Sequence, residues 1–309
     1  MVKITDFKFA SANGVNDIHG RMWIPNGAVR GVVQIVHGVA EYVERYHDFA
    51  SFLAENGYLV AGDDHLGHGY TARDESELGW FGEKDGWLTL VKDEKRLRDL
   101  LAQWYPGVPM VLLGHSMGSF IARTYICLHP GDFDACILSG TGYQAGIVAR
   151  MGMMLAKREI AKNGSRCRSA ALKKIAFGGY LKGIENPIGE NDWINRDENA
   201  IRQYDADPLC GFTPTAGLMY DMMSGLDMIC RDQYLERMDK TMPVLFISGD
   251  ADPVGAWGRG VRQTAKRFRW VSMRDVTVKL YPGARHEVLS ELNRREVWSD
   301  VLTWLGEKI

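Results

Sequence analysis

With 309 residues, 46% of them hydrophobic, the chain can bury a large core and is long enough for one big α/β domain or two ordinary ones. A formal net charge of -2 excludes the global positive field that would hold a nucleic-acid backbone, so no nucleic-acid partner is expected. There is no apolar run of membrane-span length, no apolar block of a secretory signal near the start, and no C-x-x-C pair among the five cysteines. The expectation is a soluble, cytoplasmic protein with reduced thiols.

Apolar residues alternate from Lys3 to Phe9 and again around His19 to Pro25, with Ala12-Asn13-Gly14 between, which predicts an antiparallel pair of strands. Gly31 to Val36 reads as a buried strand, Glu41 to Asn56 as a helix closed by Gly57, and Tyr58 to Gly62 as the next strand. A helix from Trp87 to Trp104 ends at Pro106-Gly107. It leads to a strand at Pro109 to Leu113, a helix from Ser116 to His129 and a strand at Ala135 to Ser139.

The alternation then breaks between about Tyr143 and Lys240. It resumes with a strand at Pro243 to Ser248, a helix from Val254 to Trp270, a strand at Val276 to Leu280 and a closing helix from Arg294 to Leu305. Repetition of strand, helix and strand predicts an α/β fold, a mostly parallel central sheet flanked by helices. The interrupting segment looks helical and carries eight methionines; a stretch this long in a compact fold usually covers a binding site. The expected division is a core of residues 1–142 and 241–309, with 143–240 as a helical cap inserted between two sheet strands.

Chemistry enters at Gly114-His115-Ser116-Met117-Gly118, a G-x-S-x-G pattern between a predicted strand and a predicted helix. The pattern is weak alone. In this context it predicts a nucleophile elbow, the sharp turn that lifts a serine hydroxyl out of the sheet. Such a hydroxyl needs a histidine to take its proton and a carboxylate to orient that histidine, in the chain order Ser, acid, His. His19, His37, His47, His65, His68 and His115 precede Ser116, and His129 lies too near it, which leaves His286 after the last strand. Asp250 and Asp252 both follow the strand ending at Ser248. Asp252 lies farther into the loop, within reach of His286, whereas Asp250 reads as a turn or capping residue. Oxyanion donors are expected from the backbone N–H of Met117 and from that of Val39 in His37-Gly38-Val39-Ala40-Glu41.

Four segments together are more specific than the elbow. They are His37 to Tyr46, Asp64-His65-Leu66-Gly67-His68-Gly69, Gly114 to Gly118, and Gly249 to Asp252 with Gly283 to Glu287. On these the chain resembles the monoacylglycerol lipase and lysophospholipase branch of the α/β-hydrolase superfamily, the serine aminopeptidase S33 type, along essentially its whole length apart from the cap. The resemblance implies a Ser116, Asp252 and His286 triad, so Asp252 over Asp250, with Val39 and Met117 forming the oxyanion hole. It also implies hydrolysis of monoacyl lipid esters through an acyl-enzyme, with no metal or organic cofactor.

His65 and His68, beside Asp63 and Asp64, suggest a metal site by spacing, but a tight glycine-bearing loop after a strand accounts for them as structural residues. Glu41 and Arg45 are four apart and are expected to pair. Nine basic residues between Arg150 and Lys182 adjoin the apolar Met151, Met153, Met154 and Leu155. This composition suits peripheral contact with an anionic membrane, and equally a solvated face held by the acidic half of the cap. Met151 and Met154 are expected to line an acyl-chain pocket. Three alternatives stay open: a small-ester carboxylesterase, an iminopeptidase-like enzyme that would hold a peptide amine on Asp205, Asp207 or Asp221, and a non-catalytic binding protein.

Overall fold

A computed structural model describes residues 2–309; Met1 lies outside them. The strands are β1 (Lys3–Ala10), β2 (Asp17–Ile24), β3 (Gly31–Val36), β4 (Tyr58–Asp63), β5 (Met110–His115), β6 (Ala135–Ser139), β7 (Val244–Gly249) and β8 (Val276–Tyr281). They form one sheet in the order β1-β2-β4-β3-β5-β6-β7-β8. β2 pairs antiparallel with β1 and β4, and all the other pairings are parallel.

The helices account for the strand sequences. β3, β4, β5, β6 and β7 are buried at every residue because helices cover both faces, so their sequences are nearly continuous in apolar residues. Val32, Val36 and Leu112 point into one apolar layer with α2 (Gly86–Trp104), α3 (Met117–Leu128) and α9 (Arg259–Trp270). Val33, Ile35, Val111 and Leu113 point into the other, with α1 (His47–Glu55) and α10 (Arg294–Lys308). β1 and β8 are the sheet edges, and both are only partly buried.

Between β6 and β7 the chain leaves the sheet to form α4 (Gly146–Asn163), α5 (Ala170–Phe177), α6 (Glu198–Ala206), α7 (Ala216–Ile229) and the single turn α8 (Asp232–Leu235). α7 is wedged into the body of the fold: a Cβ on Gly225 would overlap the Trp87 indole of α2. α4 lies on α7 through Ala149, Gly152 and Ala156, a small-residue face at helical spacing.

Two helices begin later than their sequences suggest. Within the expected Glu41 to Asn56 helix, Val43–Tyr46 is a 3-10 turn and α1 starts at His47. The Glu41 carboxylate accepts from Gly38 N–H and Tyr46 O–H, which folds the preceding loop back instead of extending a helix. Likewise α9 starts at Arg259, not Val254, because Ala256, Trp257 and Gly258 all have positive φ.

Candidate active site

The strand order reverses direction at β3, whose neighbours are β4 and β5. Open α/β sheets leave a crevice at the carboxyl ends of strands beside such a reversal. The loop after β3 and the turn after β5 both lie there.

Ser116, directly after β5, has φ 52° and ψ -121°, a conformation costly for a residue with a side chain. Neighbouring glycines permit it. A Cβ on Gly118 would overlap the Val36 carbonyl, and one on Gly114 would press on Gly118 and Ala122. The Ser116 N–H donates to Ser139 O at 3.0 Å, which pins the elbow to the end of β6.

His286 comes from the loop after β8 and is buried. Its Nδ1 lies 3.0 Å from Asp252 Oδ2. Asp252 also accepts from the Ser248 hydroxyl at 3.2 Å and from Val254 N–H at 2.8 Å. Asp250 points elsewhere, accepting from Gly283 N–H at 2.7 Å. Burial works to lower the His286 pKa, but the charge and hydrogen bond of Asp252 outweigh it, so the net shift is upward from about 6.5. The imidazole stands against Gly140 at the end of β6, where a Cβ would come 2.9 Å from His286 Cε1. Ser116 and His286 thus meet the same strand end and line the same cavity, with no hydrogen bond between them in this resting geometry.

Over the elbow lies the loop from His37 to Tyr42, packed so closely that a Cβ on Gly38 would sit 3.1 Å from Ser116 Cβ. Val39 lines the cavity, and Met117 N–H opens α3. The expected Glu41 to Arg45 pair forms at 2.8 Å, although not on a helix. Arg45 then reaches across to Glu287 with two contacts of 2.6 and 2.9 Å. For Glu287, burial pushes the carboxyl up and Arg45 pulls it further down, for a net lowering. This Glu41, Arg45 and Glu287 clamp joins the loop above Ser116 to the residue after His286. Its third member went unread in the sequence, where the only signal was an acid beside the candidate histidine.

The cavity measures about 510 Å³ and runs from Ser116 and His286 up to the cap. Phe177, Leu181, Trp193, Ile194, Phe212 and Pro214 give it apolar walls, while Lys173, Lys174, Glu190 and Asn191 supply polar groups. Trp193 stacks at a tilt on His286, with ring centroids 5.0 Å apart. Met151 and Met154 do not contribute. They are 54% and 58% exposed and face away from the cavity, because α4 turns its small-residue face inward. The aromatic and aliphatic residues of α5 and the loops around α6 and α7 form the apolar wall in their place. Asp205, Asp207 and Asp221 are also absent from its lining.

Residues 27–293 match the family described as serine aminopeptidase, S33. The chain belongs to this family. It is 32% identical to a monoacylglycerol lipase of Mycolicibacterium smegmatis, over 97% of this chain and 96% of that protein. It is 27% identical to human monoglyceride lipase, over 93% and 86% respectively. Among solved structures, a thermostable carboxyl esterase from Bacillus coagulans in complex with glycerol superposes with a TM-score of 0.92 at 31% identity, covering 100% of this chain and 99% of that one. The fold is the α/β-hydrolase fold with a helical cap between two sheet strands, as the sequence predicts.

Proposed function

We propose that this hydrolase cleaves monoacyl lipid esters with Ser116 as nucleophile, His286 as general base and acid, and Asp252 as the group that orients His286. His286 Nε2 takes the hydroxyl proton as Ser116 Oγ attacks the ester carbonyl carbon. The Val39 and Met117 N–H groups hold the oxyanion. Collapse breaks the carbonyl-to-alcohol bond, and His286 returns the proton to the leaving oxygen. Water then attacks the acyl-enzyme with His286 again as base, releasing the fatty acid and restoring Ser116. In this reading residues 1–142 and 241–309 are the catalytic core and 143–240 is the cap that selects the substrate.

One observation carries the ester reading over the peptidase one. Every carboxylate on the cavity wall is paired: Glu41 and Glu287 with Arg45, and Glu190 with Lys173. No unpaired acid stands there to bind a peptide's free amine, whereas the apolar walls suit an acyl chain. The monoglyceride lipases among the relatives and the glycerol-bound esterase support a glycerol-type head group.

The cap also carries the membrane reading. Ile147, Val148, Met151, Met154 and Leu155 form an exposed apolar stripe on α4, beside exposed Lys157, Arg158 and Lys162. That face docks peripherally on an anionic lipid surface; no helix of the described residues is long and apolar enough to cross a membrane.

A panel of monoacylglycerols and p-nitrophenyl esters against aminoacyl anilides tests the substrate class. Medium and long monoacyl esters are expected to turn over with the anilides inert. Faster anilide cleavage would assign the site to peptides, and a preference for acetyl esters would remove the lipid.

A further inference from the structure

Away from the cavity, the end of β4 and the middle of α2 bury a second polar group. Asp63 ends β4, His65 follows it, Glu94 lies on α2 and Gln34 on β3, and all four are at most 1% exposed. His65 Nδ1 stands 3.4 Å from Asp63 Oδ1 and 3.4 Å from Glu94 Oε1. The three ligand atoms of Asp63, His65 and Glu94 all lie within 4.8 Å of one another. Both Asp63 oxygens, Glu94 Oε1 and Gln34 Oε1 lack a hydrogen-bond partner, an expensive condition for buried oxygens.

One ring proton of His65 is set from outside this group. Its Nε2 faces the His37 carbonyl at 3.2 Å, and a carbonyl only accepts, so Nε2 carries a proton. Nδ1 is then the ring nitrogen directed at the two carboxylates. Gln34 Nε2 donates to Glu94 Oε2 at 2.6 Å, but Glu94 Oε1 and both Asp63 oxygens are left without a donor, and these acceptors converge beside His65 Nδ1.

We propose that Asp63, His65 and Glu94 bind a divalent transition metal of the zinc class, with a water completing the shell. Ligands about 2.1 Å from such an ion at the tetrahedral angle lie about 3.4 Å apart, the spacing His65 keeps to both acids. A mixed nitrogen and carboxylate donor set suits zinc better than calcium or magnesium, which prefer all-oxygen shells. Two carboxylates balance the ion's charge. The His65 Nε2–H on a backbone carbonyl is the outer contact that metal-bound histidines usually make.

By spacing, His65 groups with His68 in a tight structural loop, with no metal expected. His68 instead turns its Nδ1 to Leu66 O, and the third ligand comes from a helix that spacing along the loop could not reveal. Through His37, which also accepts the His65 N–H at 3.0 Å, the ion would brace the loop that carries Val39.

The test is elemental analysis of the full chain refolded with Zn2+ or Co2+ and then held in excess chelator under native conditions. About one ion per chain should be retained, as full burial requires. The melting temperature should rise over the metal-free protein, and Co2+ should show the strong visible band of a four-coordinate site. Glu94→Gln and Asp63→Asn should lose both the ion and the metal-dependent rise. Retention of no metal with an unchanged melting temperature would overturn the proposal in favour of carboxyls that share protons, and so would rapid stripping by chelator. Equal retention by Glu94→Gln would place the ion elsewhere. If the variants do not fold, chelator resistance and the Co2+ spectrum of the unaltered chain decide the matter.

Discussion

Ser116 and its neighbours show how few residues need to be special for the proposed chemistry. The strained φ of Ser116 survives because Gly114 and Gly118 leave room for it, and Asp252 holds the His286 ring by a 3.0 Å hydrogen bond. Because the His286 pKa is raised, the ring stays protonated to a higher pH than an ordinary histidine, and a protonated ring cannot act as base. The acid limb of kcat/KM should therefore have its midpoint above about 6.5. Asp252→Asn removes the cause of the rise; its residual activity should be at least about a hundredfold lower, with the acid limb moved downward. A pH–rate profile of both proteins checks the sign. The linked effect on stability runs oppositely: the pairing contribution of His286 is fully present below the unfolded pKa and is lost as pH rises through the folded one.

At this scale the sequence was informative where chain order restricts the choice. Seven of the eight histidines could be set aside by position relative to Ser116, and the structure places the eighth against Asp252. Met151 and Met154 show the opposite case. Their side chains suit an acyl pocket, but which face of α4 turns inward is decided by Ala149, Gly152 and Ala156 meeting α7, a packing choice that composition does not reveal.

Elements act here through their ends and loops. The Glu41, Arg45 and Glu287 clamp holds the loop over Ser116 to the loop bearing His286. Arg45→Met would leave two buried acids facing each other without their cation. A loss of about 3–5 kcal/mol is expected in urea unfolding, with a fall in kcat larger than any change in KM. Unchanged stability would show that the clamp holds nothing. The α4 stripe makes a separate prediction. Met151→Ser with Met154→Ser should leave turnover of dispersed short esters unchanged and weaken cosedimentation with anionic vesicles; equal vesicle binding would remove α4 from the membrane contact.

The strands were legible because burial on both faces writes near-continuous apolar runs. The starts of α1 and α9 were not, since a carboxylate hydrogen-bonded to Gly38 and a run of positive-φ residues override local helix preference.

For the whole molecule, one sheet brings together groups from distant parts of the chain. β3 delivers the Val39 loop, β5 delivers Ser116, β7 is followed by Asp252 and β8 by His286, all at the carboxyl ends of parallel strands. The cap closes the crevice with Trp193 against His286. This arrangement explains why the core could be read from the sequence and the cavity lining could not: the core follows from alternation and order, whereas the cap depends on how short helices settle over a site. Covalent labelling with a fluorophosphonate, read by peptide mass spectrometry alongside residual monoacylglycerol turnover, tests Ser116 as the nucleophile most directly. A single adduct on Ser116 is predicted, with activity falling in proportion to labelling and with Ser116→Ala folded, unlabelled and inactive. Ester turnover that persists in fully labelled protein, or in Ser116→Ala, would contradict it.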